Sequence, residues 1–60
     1  MANVILNGKC VDFDACVNLM DDELRERIHR IFEKDNLDEQ TFLSLYCKAH
    51  HWKYGEDFTI

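Results

Sequence analysis

The sequence contains no proline, only two glycines and three cysteines in 60 residues, and no uninterrupted apolar stretch exceeds three residues, as in Val4–Leu6. Each scarcity excludes something. A bilayer span needs roughly 20 consecutive apolar residues, so no membrane role is indicated. Cys10, Cys16 and Cys47 are odd in number and irregularly spaced, which does not fit a secreted disulfide framework, and no basic-then-apolar leader opens the chain. The expected compartment is intracellular and reducing. Bases are also scarce, with seven Lys and Arg against twelve Asp and Glu, a formal charge of −5. A polyanion would repel such a chain, so direct nucleic-acid binding is disfavoured. Sixty residues are too few to enclose a deep catalytic cavity and still keep a core, so no enzyme is expected.

What is present is apolar enough to fold. Hydrophobic residues make up 47% and aromatics 12% of the chain, above the range in which burial fails to offset chain entropy. The strongest local signal is Asn7-Gly8, which tolerates the positive φ angles of a two-residue type I′ turn between Val4-Ile5-Leu6 and Lys9-Cys10-Val11. Closing that turn sets Leu6 opposite Lys9, Ile5 opposite Cys10 and Val4 opposite Val11. Val4, Leu6 and Val11 then share one face, which needs helical cover because an isolated hairpin is marginal.

From Phe13 the apolar period changes from two to between three and four. Phe13, Cys16, Val17 and Met20 predict a helix over about 13–19 capped by Asp12. Leu24, Ile28, Ile31 and Phe32 predict a second over about 22–34, with Asp21 as cap, acids in the first turn, and Arg30 and Lys34 towards the negative end of the helix dipole. Asp38 caps a third, over 39–54, whose stripe is Phe42, Leu45, Tyr46 and Ala49; Leu37 and Phe42 suit a hydrophobic staple, and Gly55 suits the stop. Residues 55–60 are left as a tail. The fold class is therefore α+β, a single ββααα domain over 1–60.

Several constellations carry candidate chemistry. Cys47 and His50 lie three apart on the third helix, and Cys10 or Cys16 would complete a tetrahedral zinc site, although the chain lacks the C-x-x-C pair of small zinc domains. Cys47 reads equally well as a small buried hydrophobe. Cys16 or Cys47 with His29, His50 or His51 has no accompanying oxyanion loop or nucleophile elbow. The acids are clustered: Asp12, Asp14, Asp21, Asp22 and Glu23 occur without a base between them, and Asp35, Asp38 and Glu39 form a second group. Capping and the helix dipole account for many of these. They also form a surface like that of nucleic-acid phosphates, able to steer the protein into a basic groove of a partner. Trp52, Tyr54 and Phe58 either fold back over the hairpin or anchor an interface.

Residues 17–29, VNLMDDELRERIH, and 42–58, FLSLYCKAHHWKYGEDF, resemble a class of short proteins carried by bacteriophages and mobile elements. The shared pattern is an LMDDE-L-R-E helix start, then F-L-x-x-Y-C-x-x-H, then G-E-x-F. Small acidic proteins of this kind include anti-CRISPR proteins. The resemblance implies an inhibitor of a host defence protein, a CRISPR effector subunit, acting in the bacterial cytoplasm by blocking target-DNA recognition, without cofactor, as a monomer or weak dimer. Asp21, Asp22, Glu23, Glu26, Asp38 and Glu39 are the expected electrostatic contacts, and Trp52 and Tyr54 the expected desolvated ones. Two other readings of the residues stay open: a zinc-binding accessory domain using Cys47 and His50, and an antitoxin-like dimeric regulator.

Overall fold

A computed structural model describes residues 2–60, so Met1 of the expected 1–60 domain lies outside the described residues. The element order is β1 (Asn3–Leu6), β2 (Lys9–Asp12), α1 (Phe13–Leu19), α2 (Asp22–Asp35) and α3 (Glu39–Tyr54). This is the α+β, ββααα order expected from the sequence. Asn7 and Gly8 both take positive φ, 52° and 81°, because only that turn hand matches the twist of the strands it joins. The antiparallel register pairs Val4 with Val11, Ile5 with Cys10 and Leu6 with Lys9.

Three aspartates start the three helices by the same local device. Each sits in extended backbone and accepts a hydrogen bond from an N–H in the first turn: Asp12 from Ala15 at 3.3 Å, Asp21 from Leu24 at 3.1 Å, Asp38 from Thr41 at 2.8 Å. Two left-handed residues close the longer helices. Asn36 ends α2 at φ 53° and Gly55 ends α3 at φ 71°, the latter donating to the His51 carbonyl at 2.8 Å. α2 thus runs to Asp35, one residue beyond the expected bound.

The core gathers Val4 and Leu6 from β1, Cys16 from α1, Met20, Leu24 and Ile28 around α2, Phe42, Leu43 and Tyr46 from α3, and Phe58 from the tail. Aromatic edges lock it: Phe42 meets Phe13 at 5.4 Å and Phe32 at 5.3 Å, and Tyr46 meets Phe58 at 4.9 Å, all edge-to-face. Two expected stripes are shifted. α3 packs on both α2 and β1, so its buried face widens to include Leu43, while Leu45 and Ala49 are only half-buried. Ile31 lies at the border of the α2 stripe and is 42% exposed. Phe58 folds back beneath the hairpin, where its carbonyl accepts from the Asn7 side chain at 3.2 Å.

Candidate functional site

The antiparallel packing of α2 on α3 brings the start of one helix to the end of the other, and there the polar groups concentrate. Asp21 is the centre. Its carboxylate accepts from the Leu24 N–H, from Lys53 Nζ at 3.2 Å and from the Tyr54 hydroxyl. Its own N–H donates to the Tyr46 hydroxyl at 2.7 Å, and that oxygen lies 3.1 Å from Nδ1 of His50. The Tyr54 hydroxyl above all, then the Leu24 N–H and Lys53, hold the Asp21 carboxyl at about 2 instead of 3.8. The same contacts raise Lys53 and Tyr54. This clasp joins residues more than thirty positions apart.

Asp21 therefore makes stability depend on pH. Because its folded value lies below its unfolded one, the stabilisation is complete above about pH 5 and is lost as pH falls through about 4 towards about 2. Asp21→Asn keeps a cap but does not titrate. The melting temperatures of wild type and Asp21→Asn are expected to converge between about pH 5 and about pH 2, and parallel curves would contradict the clasp.

Beyond the clasp, α2 presents a row of charges to solvent. Asp22 is 91% exposed, and Glu23 and Glu26 are also largely in solvent. Each pairs with an arginine three or four residues on: Asp22 with Arg25 at 2.9 Å, Glu23 with Arg27 at 3.5 Å, Glu26 with Arg30 at 3.3 Å. Acid before base is the favourable order on a helix, and exposed pairs of this kind contribute well under about 1 kcal/mol. The arginines accordingly interleave with the acids and do not form a separate basic patch. Arg25 also reaches back to the Val17 carbonyl at 3.2 Å. Between α1 and α2 this leaves an open groove of about 530 Å³ lined by Val17, Asp22, Arg25, Glu26 and His29.

The expected contact residues separate into groups. Asp21, Asp22, Glu23, Glu26 and Tyr54 lie at one end of the α2–α3 pair. Asp38 and Glu39, which begin α3, lie at the other, with Asp38 lowered by hydrogen bonds from the Thr41 hydroxyl and N–H. Trp52 projects into solvent at 82% exposure. Cys47 and His50 are both half-buried. His50 is occupied by the Tyr46 hydroxyl and packs on the rings of Tyr54 and Phe58, and burial pushes the Cys47 thiol up. Among the described residues, no three His, Cys, Asp or Glu side chains gather closely enough to hold a metal. Lys53 and the Tyr46 hydroxyl were not singled out from the sequence. The i,i+4 spacing of Tyr46 and His50 was available as a signal; nothing local marks the tie from Lys53 to Asp21.

The surface of the described residues carries an open groove, a row of alternating charges and a projecting indole. Residues 4–58 match the family described as anti-CRISPR protein AcrIC5, and the chain belongs to that family. The matched stretch begins and ends on core residues, Val4 and Phe58. A search of curated proteins found no match.

Proposed function

We propose that this anti-CRISPR protein is a non-enzymatic inhibitor that binds a CRISPR effector complex in the bacterial cytoplasm and blocks recognition of target DNA. Acids at the start of α2 stand where DNA phosphates would lie. The observation that carries this reading is the exposure of Asp22, Glu23 and Glu26 along one helix of a chain of net charge −5. Their arginine pairs are weak surface contacts, so basic side chains of a partner can replace them. Net charge steers the encounter, and complementary charge sets the register. Asp21 belongs to this acidic end but serves chiefly as the clasp, and Tyr54 is engaged with it; Asp38 and Glu39 would meet a more distant part of the partner.

Trp52 is the candidate anchor, since an exposed indole buried on binding contributes far more than its neighbours. Binding of the full chain to purified effector complexes, followed by calorimetry, should give one chain per site. Trp52→Ala should weaken that binding by on the order of thirtyfold with an unchanged melting temperature. Equal affinity would remove Trp52 from the interface, and capture by no effector complex would remove the reading itself.

A further inference from the structure

The two edges of the hairpin are treated differently. On β1, the Gln40 side chain acts as a substitute strand: its Oε1 accepts from the Ile5 N–H at 2.8 Å and its Nε2 donates to the Ile5 carbonyl at 3.0 Å. Ile5 therefore turns its backbone groups away from β2, which makes Ile5–Cys10 a non-hydrogen-bonded pair. The flanking bond from the Phe13 N–H to the Ala2 carbonyl, at 2.9 Å, fits the same alternation. It follows that the Cys10 N–H and C=O, and the Asp12 N–H, point outward from β2. Among the described residues nothing bonds to the Cys10 backbone groups. Cys10 is exposed.

A second feature lies along this open edge. On its inward face a groove of about 170 Å³ runs between β2 and the tail, lined by Leu6, Lys9, Val11, Thr59 and Ile60 among others. Unpaired main-chain groups beside a side-chain groove are the two elements of recognition by strand addition, in which the backbone supplies affinity and the groove selects alternate side chains. An unprotected edge is ordinarily blunted or covered, as Gln40 covers β1.

We infer that β2 takes an extended segment of the effector protein as a third strand, with an apolar side chain in the groove and a basic residue near Asp12 and Asp14. Charge selects this occupant. A second copy of the chain would bring another −5 to the edge, whereas a protein that binds nucleic acid carries basic segments. The inference rests on the function proposed above and adds to it a contact of different chemistry.

The test uses the effector complex that captures the wild-type chain. Cys10→Pro deletes the outward N–H together with the thiol, at a position where an edge strand tolerates proline, whereas Cys10→Thr removes the thiol and keeps that N–H. Cys10→Pro is expected to bind about tenfold more weakly and Cys10→Thr like wild type. Hydrogen exchange of the wild-type chain gives a readout independent of how the proline variant folds: the Cys10 and Asp12 amides should become protected in the complex. Unchanged exchange at both amides, or equal affinity of a folded Cys10→Pro, would overturn the added strand and leave the inhibitor reading standing. Failure of every effector complex to capture wild type would overturn both.

Discussion

Asp22→Lys combined with Glu26→Lys is expected to weaken effector binding by on the order of a hundredfold at low salt, with a smaller loss at high salt. The two side chains stand one turn apart on the lip of the α1–α2 groove, and both project into solvent. Reversal changes the local charge by four and places two lysines against the proposed basic surface of the partner. Folding should suffer far less. The variant loses the pairs with Arg25 and Arg30 and puts a cation in the first turn of α2, together a cost of about 1–2 kcal/mol. Circular dichroism would register a drop of several degrees in melting temperature, and calorimetry with the effector complex would register the affinity. Affinity equal to wild type would remove the acidic end of α2 from the interface.

The largest expected effect on stability comes from Tyr46→Ala. Tyr46 has no exposed surface, packs edge-on against Phe58 and accepts the Asp21 N–H that begins α2. Truncating a buried aromatic costs about 3–5 kcal/mol, and a 60-residue domain is stable by only about 3–9 kcal/mol. Tyr46→Ala is therefore expected to be largely unfolded at 37 °C. Tyr46→Phe keeps the ring but leaves the Asp21 N–H unpartnered, a cost of about 1–2 kcal/mol. Thermal melts of the pair separate ring from hydroxyl. Equal destabilisation would mean that the hydroxyl network, and not packing, holds α3 to the start of α2.

The features legible in the sequence are those that neighbouring residues decide. Asn7-Gly8 specifies its turn because two successive positive φ angles are accessible to that dipeptide. Asp12, Asp21 and Asp38 start helices by bonding three residues ahead. The hidden features are made by the tertiary fold. Leu43 is buried because α3 is covered from two sides, a condition that its own helical period does not record. Asp21 reads as a cap, and its further ties come from residues 25, 32 and 33 positions away. Gln40 reaches Ile5 across 35 positions. For the candidate site, the sequence located the acids of α2 but not their pairing with Arg25, Arg27 and Arg30, although the three- and four-residue spacings are present in the chain. Asp38 and Glu39, read from the sequence as a second acidic group meeting the same partner, stand at the opposite end of the helix pair because α2 and α3 pack antiparallel.

Equilibrium binding of target DNA to the effector complex, with and without an equimolar amount of this protein and at two salt concentrations, separates occlusion of the DNA site from binding elsewhere. An acidic occupant of the DNA groove should abolish DNA binding at low salt, be displaced by excess DNA, and hold the complex less tightly as salt rises. A stable complex holding the effector, this protein and target DNA together at either salt concentration would contradict it.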